Sequence, residues 1–303
     1  EQVRRHYSAL VSLCDASLGR VLDAMDELRL WDDTMLLVCT DHGFLLGEQG
    51  WWGKSVPPWY DETIHTPLFL WDPRLGHARE RRDELVQTID IGPTLLEFFG
   101  VQATADMQGH SLRGVVETDA PVRTHALFGA FGGHVSVTDG RFVYMRACAD
   151  ESNTPLFEHT LMPTHMRGFF SADELAAATL EGPLEFTKGM PVLRTPGQVF
   201  TNPYAFGTLL FDLALDPRQQ RPLVDDDLER RLAQALVTAM REAQAPASQF
   251  ERLGLPVEGD VGPEHLLCAR QQAQVASSRT PAPPEDSFPR SSLSVHSRVA
   301  DLL

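Results

Sequence analysis

Apolar positions in the first third of the chain follow a helical spacing and then strand-like runs. Apolar residues recur every three or four positions over 7–30, which predicts an amphipathic helix. Gly19 inside it disfavours the helix by about 1 kcal/mol relative to alanine, so we expect it to permit a close packing contact. Continuous apolar runs over 35–40 and 66–71 predict two strands, the first covered on both faces in a parallel sheet. A second helix is predicted over 90–99, and this alternation indicates an α/β sheet.

Beyond Pro121 the spacing changes to the period of two that is typical of half-covered strands. The segments THALFGAF, HVSVTDG and RFVYMRA each predict a short strand, with a hairpin turn at 138–140. The run LLFDL at 209–213 predicts another strand, and 228–243 predicts an amphipathic helix rich in alanine and leucine. We therefore expect a small antiparallel sheet covered by a helix.

These patterns divide the chain into three predicted parts. Residues 1–120 form the α/β part, and 121–245 form an antiparallel subdomain. Proline and glycine punctuate an insert at about 148–207, for which we expect a partly ordered flap. Residues 246–303 are an extension, and a composition rich in Ser, Pro and Arg predicts disorder from about residue 277.

Composition and charge narrow the classes of partner. A formal net charge of −16 argues against nucleic acid, because binding phosphates requires a basic surface. No apolar run approaches the roughly 18 residues that a membrane-spanning helix needs. The acidic composition fits both a cytoplasmic and an exported protein. Four scattered cysteines form no CxxC pair, and two of them lie in apolar patterns, so buried free thiols are predicted in preference to disulfides: Cys14, Cys39, Cys148 and Cys268.

The residues most suggestive of chemistry follow the first predicted strand. Asp41 and His42 come directly after it, and Lys54 lies thirteen residues beyond the aspartate, across a glycine-rich loop. A carboxylate, an imidazole and an ammonium suit a divalent metal beside an anionic substrate, at the strand end where α/β sheets bind ligands. Two ligands do not hold a metal, so further oxygen ligands are required. The simpler alternative is a strand-end turn capped by the aspartate, followed by a solvated lysine.

The wider pattern favours the chemical interpretation. Thr40 to Lys54 reads T-D-H-G-x-x-L-G-E-x-G-x-W-x-K, which resembles the second metal-binding motif of the sulfatases, members of the alkaline-phosphatase-like superfamily. Further similar segments follow the family's order along the chain: YSALVSLCDASLGRVLDAMDEL, YDETIHTPLFLWDP, LVQTIDIGPTLLEFFG, MQGHSL, TDGRFVYM and LFDLALDP. The resemblance implies an alkaline-phosphatase-like mixed sheet flanked by helices, with a small C-terminal antiparallel subdomain.

The same resemblance implies roles for individual residues. Asp41 and His42 would bind the metal, by family precedent Ca²⁺, although the imidazole ligand keeps Mg²⁺ or Mn²⁺ open. Lys54 would contact the sulfate and stabilise charge on the leaving-group oxygen. Glycines 47, 50 and 53 would allow tight turns of the loop. Gln49 stands where relatives often have histidine, which leaves a catalytic role for that position in doubt.

Family members also carry a nucleophilic cysteine or serine in a C-x-P-x-R or related motif, with the cysteine oxidised to formylglycine. None of the four cysteines here lies in such a motif, and the early Asp-Asp pair of the metal site is missing too. The resemblance therefore implies the C-terminal portion of a longer sulfatase, inactive by itself, whose formylglycine lies upstream. A sheet without its first strands would leave an exposed apolar edge, so we expect poor expression of the isolated chain.

The substrate implied by the resemblance is a small-molecule or carbohydrate sulfate ester. Within the insert, Lys188 is a further candidate for substrate binding, and His65, His159 and His165 are weaker candidates for which structural roles are the default. Two alternatives stay open. One is hydrolysis of phosphonate or phosphate esters on the same scaffold, and the other is a non-catalytic remnant with a binding or structural role.

Overall fold

The computed structural model describes residues 2–76, 79–165, 168–197, 199 and 201–279. Its first part alternates helices and short strands, as the spacing predicts. The elements of this part are α1 (Gln2–Glu27), β1 (Leu36–Cys39), β2 (Leu45–Leu46), β3 (Trp52–Gly53), α2 (Asp61–Ile64), β4 (Leu68–Trp71), α3 (Ile91–Phe98) and α4 (Arg113–Thr118). The two predicted helices and both predicted strands are present within a few residues of their expected bounds.

The direction of the first strand differs from the prediction. Within the described part of the chain β1 pairs only with β4, and the pair is antiparallel, with Leu36 opposite Trp71 and Cys39 opposite Leu68. Among the described residues β1 is half-buried and is not covered on both faces. The prediction of a parallel sheet for β1 was therefore wrong. An apolar run indicates burial, but it does not indicate the direction of the partner strand.

The glycine expected at a close packing contact in α1 has open space instead. A Cβ built on Gly19 meets no atom of the described residues within 4 Å. Of the 26 residues of α1 only Met25 is buried.

The second part begins with an antiparallel hairpin series. Its elements are β5 (Ala126–Gly129), β6 (Val135–Thr138), β7 (Phe142–Arg146), β8 (Phe157–Thr160), β9 (Thr164–His165), β10 (Gly168–Phe169), α5 (Ala172–Ala177), β11 (Thr179–Glu181), β12 (Val192–Pro196), β13 (Leu209–Asp212), α6 (Asp226–Glu242), α7 (Ala247–Leu253) and α8 (Gln272–Ser278). The central sheet has the order β13-β7-β6-β5, antiparallel throughout, as predicted. In the predicted turn before β7, the Asp139 carboxylate accepts hydrogen bonds from the amides of Arg141 and Phe142, at 3.0 and 2.7 Å.

Both faces of this sheet are covered, and the period of two in β7 and β13 divides their side chains between the faces. Tyr144 and Leu210 face a cluster built with α6 and α7, which includes Leu232, Leu236 and Phe250. Val143, Met145, Leu209 and Phe211 face a second cluster with Leu45, Tyr60 and Val275. Leu45 and Tyr60 come from the segment around the Asp-His motif, so that segment packs against the C-terminal sheet.

The insert carries its own secondary structure. Strands β11, β12 and β8 form an antiparallel sheet, β9 and β10 form a small hairpin, and Ser171 caps α5 by accepting a hydrogen bond from the amide of Glu174. The insert leaves the central sheet after β7 and returns at β13, and these two strands are hydrogen-bonded neighbours. The expectation of a partly ordered flap agrees with this arrangement.

The C-terminal extension packs against the central sheet in its described part. Phe250 and Leu253 of α7 are buried in the cluster with α6, and Val275 of α8 is buried on the other face. The predicted disorder begins within the end of α8, and its remainder, residues 280–303, lies outside the described residues. The three-part division of the chain stays a prediction. All four cysteines are free, as predicted, but Cys14 and Cys39 are exposed.

Candidate functional site

A short hairpin brings the ends of the motif together. β2 pairs with β3 in antiparallel register, with Leu45 opposite Gly53 and Leu46 opposite Trp52. Asp41 and His42 precede β2, and Lys54 follows β3 directly, so the hairpin returns Lys54 to His42. The hairpin thus brings together an aspartate and a lysine that twelve residues separate in the sequence. We call residues 43–54 the motif loop.

Glycines permit the path of the motif loop. Gly47, Gly50 and Gly53 have φ of 109°, 78° and 98°, a region that disfavours side chains, so the prediction of tight turns at these positions is confirmed. Gly43 serves a different purpose, since its amide donates to the carbonyl of Thr63 at 2.8 Å. A Cβ at Gly43 would lie 1.8 Å from the carbonyl oxygen of Glu62.

Asp41 is exposed and held by local hydrogen bonds. Its carboxylate accepts from the amide of His42 at 3.0 Å and from the hydroxyl of Thr40 at 3.3 Å. Desolvation raises the pKa of Asp41, but the His42 amide, the neighbouring imidazole and Thr40 outweigh it, so the pKa lies below its ordinary value. The side chain is 80% exposed, which leaves its second oxygen accessible to a ligand.

The contacts of His42 define its tautomer. Nδ1 lies 2.9 Å from the carbonyl oxygen of Gly43, which can only accept, so Nδ1 carries the proton. The Lys54 ammonium, which can only donate, contacts Nε2, so Nε2 presents a lone pair. Asp41 Oδ2 lies 3.2 Å from the same nitrogen. Two lone-pair atoms at this distance repel one another unless a cation lies beside them, and in this structure the cation is Lys54.

These residues fit part of a divalent metal site. A histidine ligand typically donates its other ring nitrogen to a backbone carbonyl, as His42 does to Gly43. Asp41 and His42 Nε2 would hold the ion, and because one lone pair has one partner, a metal and Lys54 are alternative partners of Nε2. Within the described part of the chain, no group of three or more His, Cys, Asp and Glu side chains is arranged to hold a metal.

The other sequence candidates have partners of their own. Lys188 in the insert forms an ion pair with Asp106 at 3.5 Å and is not brought to His42 by any hydrogen bond or ion pair among the described residues. The weaker histidine candidates each contact a carboxylate: His65 with Asp61, His159 with Glu181 and His165 with Glu174. Their contacts agree with the structural roles taken as the default.

The tip of the motif loop packs on the second part of the chain. The Trp51 ring lies 5.7 Å from that of Phe206, while Trp52 is 47% exposed and lies under the guanidinium of Arg4. The Gln49 side chain donates to the carbonyl of Gln219 at 3.1 Å and accepts from Arg279 at 3.1 Å. Sequence reasoning missed Gln219 and Arg279, because no local pattern indicates a contact with residues this distant in sequence.

Comparison with known proteins places this motif in a family. Residues 1–101 match the family model described as Sulfatase. The first third of the chain is therefore similar to the sulfatases. The match contains the whole motif, with Asp41, His42 and Lys54, and the sequence resemblance is thereby confirmed.

Individual curated proteins are similar to part of the chain. The chain is 34% identical over 119 residues to the N-acetylglucosamine-6-O-sulfatase of Bacteroides thetaiotaomicron, covering 39% of this chain and 21% of that protein. It is 29% identical over 154 residues to the choline-sulfatase of Rhizobium meliloti, covering 48% and 29%. It is also 34% identical over 112 residues to the multifunctional alkaline phosphatase superfamily protein PehA of Trinickia caryophylli, covering 37% and 21%. The chain thus spans less than a third of the length of each of these relatives.

Solved structures support the fold. One is a protein in complex with its substrate D-glucosamine-2-N,6-O-disulfate, with a TM-score of 0.52 and 18% identity, covering 77% of this chain and 39% of that one. Another, from work on glycosaminoglycan metabolism by Bacteroides thetaiotaomicron, has a TM-score of 0.50 and 17% identity, covering 79% and 43%. The predicted alkaline-phosphatase-like fold is confirmed. None of the helices in the described residues combines the length and apolarity that crossing a membrane requires.

Proposed function

We propose that the whole protein hydrolyses sulfate esters and that Asp41, His42 and Lys54 are the part of its catalytic site that this chain contributes. The observation that carries the proposal is the convergence of these three side chains at the end of β1, inside the region that matches the family. A carboxylate, an imidazole with a lone pair on Nε2 and an ammonium are the groups that a metal-assisted reaction of an anionic ester needs.

A divalent metal held by Asp41 and His42 would polarise the sulfuryl oxygens. We propose Ca²⁺, with Mg²⁺ or Mn²⁺ as alternatives, because the carboxylate is a hard ligand and the imidazole a softer one. The role of the Gly43 carbonyl is to accept from Nδ1 and keep Nε2 unprotonated toward the ion.

Lys54 binds the ester and stabilises the leaving group. Its ammonium lies beside His42 and is half-buried, so it would donate to a sulfate oxygen and to the ester oxygen as negative charge develops there. The carbonyl of Lys54 accepts from the indole of Trp59 at 3.1 Å, which fixes the backbone from which the side chain extends. The nucleophile, a formylglycine in this proposal, would come from outside these 303 residues, because none of their cysteines lies in a C-x-P-x-R motif.

The substrate class that we propose is a sulfated carbohydrate. Two similar proteins support it: the N-acetylglucosamine-6-O-sulfatase of Bacteroides thetaiotaomicron, and the similar fold that was solved in complex with D-glucosamine-2-N,6-O-disulfate. Lys188, on the insert, stays a predicted substrate contact, and in that role its replacement by alanine would raise KM with little change in kcat.

The experiment measures hydrolysis of an aryl sulfate by the full natural protein. We expect Lys54→Ala to lower kcat/KM by on the order of a hundredfold to a thousandfold, because a transition-state charge loses its partner. Asp41→Ala should also remove the bound divalent metal, measured by elemental mass spectrometry. Asp33 is an exposed aspartate before β1, and Asp33→Ala is the control for the loss of metal in Asp41→Ala.

Two outcomes would count against the proposal. Undiminished aryl sulfate hydrolysis in both Asp41→Ala and Lys54→Ala would remove these residues from the site. Faster hydrolysis of an aryl phosphate or phosphonate than of the matched sulfate would assign the scaffold to phosphoryl transfer instead.

A further inference from the structure

The motif loop is tied at its tip to a segment far along the chain. The side-chain nitrogen of Gln49 donates to the backbone carbonyls of Arg218 and Gln219, and its side-chain oxygen accepts from the guanidinium of Arg279. These partners lie 169, 170 and 230 residues away in sequence. Gln49 has φ of 55°, an uncommon conformation for a residue other than glycine, so the contacts hold the tip in a shape it would not readily keep alone.

Arg279 joins the two segments. The nitrogen that donates to Gln49 also lies 2.7 Å from the carbonyl of Gln220 and 3.3 Å from that of Gln219. Burial raises the pKa of the Tyr60 phenol to about 12, and the positive charge of Arg279 acts in the opposite direction. All three acceptor oxygens contact one terminal nitrogen of Arg279, so a single NH₂ group joins Gln49 to the backbone of residues 219–220.

The same segment holds the far side of the motif loop. Gln219 is 1% exposed, and its side-chain oxygen accepts from the amide of Asp61 at 2.7 Å. The backbone amide of Gln219 donates to the carbonyl of Asp216 at 3.0 Å. The Asp216 carboxylate accepts from the backbone amide of Arg221 at 2.7 Å. Residues 216–221 therefore form a turn with internal hydrogen bonds, and that turn contacts the chain on both sides of Lys54, at Gln49 and at Asp61.

We propose that Arg279 and Gln219 are positioning residues of the site, and that they fix the motif loop at Gln49 and the segment after it at Asp61, so that Lys54 remains beside His42. The inference rests on the proposed role of Lys54 in sulfate ester hydrolysis. Neither residue touches the reacting groups, and both act through the backbone of the motif loop. The site is thus held by the C-terminal part of the chain, including the end of α8.

The first measurement needs no activity. In the full natural protein, Arg279→Ala should raise hydrogen–deuterium exchange of the amides of 47–54 by about tenfold, because local opening becomes easier. Arg270→Ala is the matched control, since Arg270 lies in the same terminal segment. Among the described residues, its side chain donates a hydrogen bond only to the carbonyl of Glu264. Gln49→Ala removes the same contacts from the side of the loop and should reproduce the effect if Arg279→Ala does not fold.

The second measurement separates positioning from general stability. On an aryl sulfate, Arg279→Ala should lower kcat by roughly tenfold to a hundredfold with a smaller change in KM, as for a displaced transition-state contact. Arg279→Lys should recover only part of the loss. In a Lys54→Ala background Arg279→Ala should have almost no further effect, because the two changes remove one interaction.

The outcomes distinguish the two proposals. An equal loss of kcat in both backgrounds, or unchanged exchange of the motif loop in Arg279→Ala and Gln49→Ala, would overturn the positioning role. If the protein hydrolyses no sulfate ester but exchange still rises tenfold, the proposed activity fails while the structural link between Arg279 and the motif loop stands.

Discussion

The two parts of the molecule differ in how their apolar residues are used. In α1 one residue of 26 is buried, and apolar side chains such as Leu10 and Leu13 are 59% and 63% exposed. In β13 all four residues are buried, and α6 buries one whole face against the central sheet. The residues proposed for chemistry lie in the first, loosely packed part, whereas most of the buried surface lies in the second.

This difference indicates how the site is supported. Rigid scaffolds commonly carry functional loops, and here the support for the motif loop comes from the second part of the chain. Leu45 is fully buried against that sheet, which contributes about 1.5–3 kcal/mol. Replacing a buried side chain of the second part should therefore lower the free energy of unfolding more than replacing an exposed side chain of the first part.

The largest effect is expected at a buried carboxylate. Glu229 is fully buried, accepts from Tyr144 at 3.0 Å and from the amide of Leu267 at 2.7 Å, and lies 3.8 Å from the buried guanidinium of Arg146. Glu229→Leu leaves Arg146 without its counter-ion, so we expect the free energy of unfolding to fall by about 3–5 kcal/mol in urea titrations. The exposed Glu251 on α7 is the matched control, with a change within about 0.5 kcal/mol.

Truncation of one leucine in each part tests the comparison directly. Leu236→Ala on α6 should cost about 2–5 kcal/mol, because the side chain is fully buried and leaves a cavity. Leu10→Ala on α1 should change stability by no more than about 0.5 kcal/mol. Equal losses in urea titrations of the two variants would mean that α1 is packed in solution.

Acid should weaken the well-packed part through His134. Burial lowers the pKa of its imidazole to about 4, with the charge of Arg252 acting in the same direction. In the unfolded chain the ordinary pKa is about 6.5, so below that value the unfolded state binds a proton that the folded state does not. The stability contributed by the neutral imidazole is therefore complete above pH 6.5 and is lost as the pH falls toward 4, by on the order of 3 kcal/mol.

Unfolding titrations across this pH range measure the effect. His134→Asn should flatten the decline, although it also loses the hydrogen bond to the Gly207 carbonyl. His6→Asn, on the exposed face of α1, should leave the slope unchanged. If His134→Asn leaves the decline of the free energy of unfolding with pH unchanged, His134 is not its cause.

The smallest effects are expected at two glycines of the first part. Gly43→Ala forces a Cβ against the Glu62 carbonyl and should cost about 1–3 kcal/mol, as overpacking does. Gly19→Ala meets open space in the described structure and should stabilise α1 by up to about 1 kcal/mol. Thermal unfolding of the pair, with shifts of opposite sign, would show that the first part contains one tight contact at the motif and a loose helix elsewhere.

Local spacing predicted most elements because each helix and strand has its own period. The turn at 138–140 and the glycines of the motif loop were predicted for the same reason, since a few neighbouring residues determine them. The strand direction of β1 and the open space at Gly19 depend on distant partners, and neither was predicted correctly. Asp41, His42 and Lys54 were found through a short motif, but the contacts of Gln49 with Gln219 and Arg279 have no local signal.

The way the insert is attached has an evolutionary consequence. It departs from β7 and rejoins at β13, where Met145 and Leu209 lie opposite each other in the sheet. A segment whose ends already meet can lengthen, shorten or be exchanged at a small entropic cost, since each doubling of loop length adds only about 0.6 kcal/mol. Natural selection, or a designer assembling chimeras, could thus exchange much of residues 148–207 without altering the strands that carry the rest of the protein, as long as Phe206 and Gly207 keep their contacts with Trp51 and His134.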